Sequence, residues 1–439
     1  MPILQSGIAK PSSSGYSINQ SIRLNDDDSP YLSRTAGTAT SNRIGTFSFW
    51  VKRGNLGGGN AFFSNHSDAS NRTYVGFDAD TIQMFGKISG SANVELITTP
   101  VFRDPASWYH LVIHVDVTQS TASNRVKFYV NGTQVTSFST SDYPAQNVDL
   151  PLLSKANQQV GAFFSSSVGD YFDGLMSEFH YVDNAVVPVA TFAETSSANS
   201  QWIPKDTTGA ITYGGNGFHL KFAAGAIGTD SSGNGNNFTL NNITASDVVL
   251  DTPSNSFCVL NPIDPNTSGT LSDGNLVTSG NARVTMQPAS GQWYYEKDGS
   301  GVSVSGAFNP SLTSGTYNFG SSGTGGYSDG NGKGNFDNAV PSGYLAVCSD
   351  NLSTVSASTF SYTGNANASG PFVYMGYLPS AITISGTTYS LSSTNPSDSI
   401  DWLSNGIKVR SSSVRNSNGT SYSITSAPIS RDFKYSNAR

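Results

Sequence analysis

Residues 108–135 alternate apolar and polar positions in a way that only extended chain satisfies. Tyr109, Leu111, Ile113, Val115 and Val117 fall on one face, with His110, His114 and Asp116 on the other. This is the two-residue period of a strand, not the 3.6-residue period of a helix. After a polar loop, Val126, Phe128 and Val130 repeat the pattern opposite Arg125, Lys127 and Tyr129, and Asn131-Gly132 leads into residues 133–135. Asn-Gly accepts the positive φ of a tight turn, so the pattern predicts a β-hairpin.

The same alternation recurs on both sides of this hairpin. Tyr16, Ile18, Ile22 and Leu24 share a face, Phe47, Phe49 and Val51 form another strand, and more strands are expected at 74–77, 81–85 and 94–98. Short strands at this spacing, with Gly, Asn, Ser and Asp between them, predict a sandwich. It closes near Asn184, after Leu175, Phe179 and Tyr181, and a break in the alternation around Gly174 predicts a β-bulge there. Beyond Trp202, strands are expected around Phe218, Leu220 and Phe222, at 257–261, 283–287 and 293–296, and in short pieces at 382–384, 407–409 and 422–424. The resulting division is an N-terminal arm over 1–15, a sandwich over 16–200, a β-rich region over 201–370 with a Gly/Ser/Asn-rich insert at 298–335, and a last β-rich region over 371–439. No stretch has a sustained helical period, so the fold class is all-β.

Composition sharpens this picture. Only 12% of the 439 residues are charged, against roughly 25% in ordinary soluble proteins. Few good helix formers remain, while 20 Tyr and 24 Phe suit half-buried strands. The net charge of −7 and the lack of a Lys/Arg cluster argue against nucleic acid as a partner. The start lacks a basic segment followed by an apolar run, and no run of about 18 apolar residues occurs, so no export signal and no membrane insertion are expected. Cys258 and Cys348 are expected to be two partly buried thiols.

The hairpin with its Trp-Tyr-His-Leu strand and Phe-Tyr-Val-Asn-Gly turn, followed by Phe172-Asp173-Gly174-Leu175-Met176-Ser177-Glu178-Phe179, resembles the final strands of a concanavalin A-like, laminin G-like jelly roll. Read in order, SIRLNDDDSPYLSRT, FSFWVKRG, YFDGLMSEFHYVDN, DSSGNGNNF, CVLNP, RVTMQPASGQWYYE, GPFVYMGY and FKYSNAR resemble virion structural proteins of tailed phages of marine bacteria. That resemblance implies a tail fibre or receptor-binding appendage, displayed on the virion, that recognises a host surface glycan or receptor without catalysis. It further implies a homotrimer docked to other virion proteins through the N-terminal arm. The alternative is a capsid decoration or head-fibre protein.

Candidate chemistry is sparse. Polysaccharide cleavage on such a fold would need paired carboxylates on one strand, and Asp173, Glu178 and Asp183 are five residues apart, so they do not all project from one face of a regular strand. No nucleophile elbow, phosphate loop or dinucleotide fingerprint occurs, and no cofactor is expected. Some laminin G-like modules bind calcium at the sandwich rim, and the Asn25-Asp26-Asp27-Asp28 run makes Asp26 and Asp28 the calcium candidates, although a solvated turn accounts for the run as well. His110 and His114 share a strand face without an evident third metal ligand and are expected to be surface polar groups. Trp50, Tyr74 and Tyr143 are aromatics that could stack on sugar rings.

Overall fold

The computed structural model describes residues 16–285, apart from 155–156, 198–199, 250, 255, 257–258, 264–267, 273, 276, 281 and 284, and beyond 285 only the backbone of isolated strands. The chain divides into two compact units, Pro11–Ser256 and a second unit containing Phe257–Arg439.

Twenty strands build the first unit: β1 (Ser21–Leu24), β2 (Tyr31–Thr35), β3 (Ile44–Arg53), β4 (Asn60–Asp68), β5 (Asn71–Asp78), β6 (Thr81–Ile88), β7 (Ser91–Thr98), β8 (Tyr109–Asp116), β9 (Val126–Val130), β10 (Thr133–Val135), β11 (Phe138–Asp142), β12 (Asn157–Val160), β13 (Phe163–Phe164), β14 (Val168–Gly169), β15 (Gly174–Asp183), β16 (Ala193–Thr195), β17 (Trp202–Pro204), β18 (Phe218–Leu220), β19 (Thr239–Asn241) and β20 (Val248–Val249). One sheet runs β10-β9-β8-β3-β15-β1-β20, with β18 also on β15, and the other runs β11-β7-β6-β5-β4-β12-β2-β19. The helices among the described residues are single 3-10 turns, and none is long and apolar enough to cross a membrane. The expected strand at Phe218 and two later ones, β19 and β20, thus join the sandwich sheets, and residues past 200 complete the jelly roll.

The predicted hairpin forms as β8, β9 and β10, with Val130 opposite Thr133 and the turn at Asn131 (φ 47°) and Gly132 (φ 81°). Leu111, Ile113, Val115, Val126 and Phe128 enter the core between the sheets. There they meet Phe49 and Phe179, stacked at 4.5 Å, and Phe47 and Tyr181, stacked at 4.6 Å, offset pairs that add to the area they bury.

Ile18 does not follow Ile22 and Leu24 into that core. It lies outside the strand, in a second cluster with Trp50, Trp108, Leu175 and Val249 on the outer face of the first sheet. A third cluster on the same face packs Val112, Val182, Phe192 and Tyr213. Segment 185–213 is therefore a cover over β8, β3 and β15. This corrects the expectation that the outer face of β8 is polar surface: His110 is fully buried and His114 bonds the Val187 carbonyl through Nε2 at 2.8 Å.

The break in the β15 alternation is a bulge, displaced from the expected Gly174. Met176, Phe179 and Tyr181 point to the core, an odd step that the ladder absorbs where its register to β3 shifts between Ser177 and His180. Glu178 is the extra residue and has φ 47°, the left-handed region that bulges use.

In the second unit, Asn335–Phe336, Phe372–Tyr374, Gly406–Val409 and Ile400–Leu403 form one four-stranded sheet, and Phe360–Thr363, Ser421–Ile424, Ala381–Ile384 and Thr387–Ser390 form another. The expected strands at 382–384, 407–409 and 422–424 lie within them. The 1–15 arm, Cys258, Cys348 and most of the 298–335 insert lie outside the described residues.

Candidate functional site at the sandwich rim

Three segments meet at the rim where β1, β3 and β15 begin or end. The Asp26–Asp28 run folds as a 3-10 turn closed by Ser29 in the left-handed region. Asn55 follows the end of β3, and Asp173 immediately precedes β15. The Asn55 backbone N–H donates to Asp173 Oδ1 at 3.2 Å and its Nδ2 to Asp173 Oδ2 at 3.0 Å. The same Nδ2 lies 3.4 Å from both carboxylate oxygens of Asp26. Asp28 is turned away and accepts from Asn25 Nδ2.

Local sequence fixes this arrangement. A Cβ on Gly54 would sit 1.7 Å from Asp173 Oδ1, and one on Gly174 (φ 138°) would sit 2.1 Å from the Lys52 carbonyl oxygen. Only glycine at both places lets the carboxylate enter the rim. Asp173 is 2% exposed. Its carboxyl is held well above the usual carboxylate range by burial first, and then by the negative charge of Asp26 and a hydrogen bond with it. Two acids in contact, one of them buried, favour either a shared proton or a bound cation, and Ca2+ suits carboxylates and an Asn side-chain oxygen. An Asn55 flip would turn Oδ1 toward the ion.

An acid whose folded pKa is raised binds more protons in the native state than in the unfolded one, so stability falls as pH rises through the native value. A calcium ion held between Asp26 and Asp173 would reverse that loss. With Kd about 10⁻⁴ M, typical of weak extracellular sites, 10 mM Ca2+ adds about 2.7 kcal/mol, or about 5 °C in melting temperature for a unit of this size. We expect that rise at pH 7 and not at pH 4, and Asp173→Asn to abolish it while leaving the calcium-free protein at least as stable at pH 7. A calcium-insensitive melting curve for the unaltered protein at pH 7 would sink the assignment.

The other expected site residues fare differently. Trp50, 3% exposed and stacked on His110 at 4.6 Å, is core beneath the 185–213 cover, so the structure removes it as a sugar platform. The Tyr74 ring is half-buried against Phe163, and its hydroxyl bonds Gln83. Tyr143 is half-buried beside Phe138. The three acids weighed for catalysis stay apart: Asp183 accepts the backbone N–H groups of Thr40, Ser41 and Asn216, Asp173 sits at the rim, and Glu178 bonds His219. Sequence spacing gave Asp173 no link to Asp26, because the two are joined only through the sheet.

Residues 25–188 match the laminin G-like profile described as the concanavalin A-like lectin/glucanases superfamily, and the two antiparallel sheets are those of such a jelly roll. Among solved structures, the chain is similar to a Bacteroides ovatus protein described as carbohydrate-binding (14% identity, 53% of this chain and 60% of that one, TM-score 0.34). It is also similar to tailspike protein 2 of an Escherichia coli O157:H7 bacteriophage (13%, 38% and 23%, TM-score 0.28) and to mouse laminin α1 chain (7%, 48% and 48%, TM-score 0.29). The chain spans less than two thirds of each of these three proteins. No curated protein sequence matches it.

Proposed function

We propose that this protein is a non-enzymatic virion protein of a tailed phage, a tail fibre or receptor-binding appendage whose jelly roll recognises a glycan on the host surface. The Asp26–Asn55–Asp173 rim carries the recognition half of this reading. It is a built, loop-borne, cation-competent corner with hydrogen-bonding groups around it, and a bound Ca2+ there would offer coordination positions to vicinal sugar hydroxyls. The engagement of Asp173, Glu178 and Asp183 in three separate structural tasks favours binding over hydrolysis, which needs two carboxyl groups directed at one sugar bond. The virion half rests on the order of the phage-like segments, as do docking through the 1–15 arm and trimerisation.

Adsorption competition tests this reading. Purified protein should slow attachment of the phage to its host, and should do so less after calcium removal or with Asp173→Asn. Full attachment at saturating protein, with labelled antibody marking the capsid shell in micrographs, would overturn it in favour of shell decoration.

A further inference from the structure

Under the 185–213 cover lies a cluster that the rim does not use. Glu178, His180 and His219 are 7%, 3% and 4% exposed, and their nearest carboxylate and imidazole atoms all lie within 4.8 Å of one another. The backbone brings them together deliberately. His180 and His219 are directly opposed in the β15–β18 ladder, and the bulge carries Glu178 to the same outer side with a left-handed φ of 47°, a conformation that costs a residue other than glycine.

The geometry converges on one carboxylate oxygen. His219 Nε2 is 2.6 Å from Glu178 Oε2 and His180 Nε2 is 3.7 Å from it; the imidazoles stack at 3.8 Å, so ligation by both Nε2 atoms requires one ring to turn out of the stack until the two lone pairs point at one centre. Two ligands of a tetrahedral ion with bonds of about 2.0–2.1 Å lie about 3.4 Å apart, between those two distances. An outer partner is also in place: His180 Nδ1 and the Tyr213 hydroxyl are 2.8 Å apart, the contact that fixes a ligating imidazole and turns its Nε2 to the ion. Tyr16, half-buried, hydrogen-bonds Glu178.

We propose that Glu178, His180 and His219 form a site for one late first-row divalent cation of the zinc class, with water or the Tyr16 hydroxyl in the fourth position. The ligand set is nitrogen-rich, unlike the all-oxygen rim, so the two sites sort their ions by chemistry. Binding takes the His219 Nε2 lone pair, so the imidazole hydrogen moves to Nδ1, and the cation neutralises the buried carboxylate. The inference does not depend on the glycan reading.

The test uses the full chain, stripped with a chelator, dialysed, and titrated with Zn2+ by calorimetry in two buffers of different protonation enthalpy, with Co2+ as the visible-absorption probe. One equivalent should bind, and cobalt should give the intense bands of a four-coordinate site. His219→Gln and Glu178→Gln, each checked for folding by circular dichroism, should bind at least 100-fold more weakly, and Tyr213→Phe about 10- to 100-fold more weakly. Excess Ca2+ should not compete. Failure to take up one equivalent, or uptake unchanged in both His219→Gln and Tyr213→Phe, would overturn the assignment.

Discussion

Replacing Asp251 with Ala should destabilise the sandwich unit by about 3–5 kcal/mol, the range found when one partner of a buried ion pair is removed. Lys52 and Asp251 face each other at 2.5 Å with side chains 1% and 2% exposed. The other carboxylate oxygen accepts Trp108 Nε1–H at 2.9 Å, and the Asp251 carbonyl accepts the Ser21 hydroxyl. Truncation thus removes the counter-charge of a buried ammonium, which keeps the Ser256 hydroxyl at 3.3 Å, and the acceptor of an indole N–H beside the outer-face cluster of Ile18, Trp50 and Leu175. Because the pair itself offsets its own desolvation only partly, Lys52→Met combined with Asp251→Leu should recover most of the loss. Urea unfolding of the single and double variants decides the matter. A single variant within 1 kcal/mol of the parent would mean that the pair is not buried in solution.

Stability should also fall steeply as pH drops from 6.5 to 4, with His110 a main contributor. Trp202 Nε1–H can only donate, and it points at His110 Nδ1 at 3.0 Å. That nitrogen must keep its lone pair, so Nε2–H donates to the Ser48 hydroxyl at 2.9 Å. A second ring proton would collide with the indole N–H, and full burial leaves no water to relieve it; burial pushes the His110 pKa down to about 3. The sign follows: a base depressed in the native state binds fewer protons there than when unfolded, so its contribution is present above pH 6.5 and lost as pH falls toward 3. At pH 4 that amounts to about 3 kcal/mol, at 1.36 kcal/mol per unit. His66, His114 and His180 are lowered too, each by burial first, and add to the slope. His110→Gln can accept from Trp202 and donate to Ser48 without titrating. Its stability should be flatter between pH 6.5 and 4 by most of that amount, and a variant whose pH slope equals the parent's would refute the assignment.

The strands at 47–51, 74–77, 81–85 and 94–98 and the hairpin were legible because their core-facing residues are apolar at a two-residue period, and the Asn131-Gly132 turn states its own geometry; β4, β11 and β12 were not. The outer face of the first sheet was not legible. It mixes His110, Val112 and His114, and its cover supplies Val187, Phe192, Trp202 and Tyr213 at irregular spacing, without the period that marks a strand or helix. The rim was half legible: Asp26 stands in a visible acidic run, but its partner Asp173 lies far along the chain and was weighed against Glu178 as a catalytic acid. The Glu178 cluster left only a faint signal, the broken alternation of β15, since a bulge erases the parity by which a side chain's face is read.

The burial of the first sheet on both faces sets the smallest portable piece of this molecule. The 25–188 stretch that carries the family likeness leaves out β1, which lies between β15 and β20, and the part of the strap bearing Phe192, Trp202 and Tyr213. Cut there, it would expose Trp50, Trp108 and Val112 to water together, a contiguous greasy patch of the kind that drives precipitation. Recombinant fragments, chimaeras and display fusions built on this jelly roll should be spliced after Ser256, the end of the compact unit, and not where the homology stops.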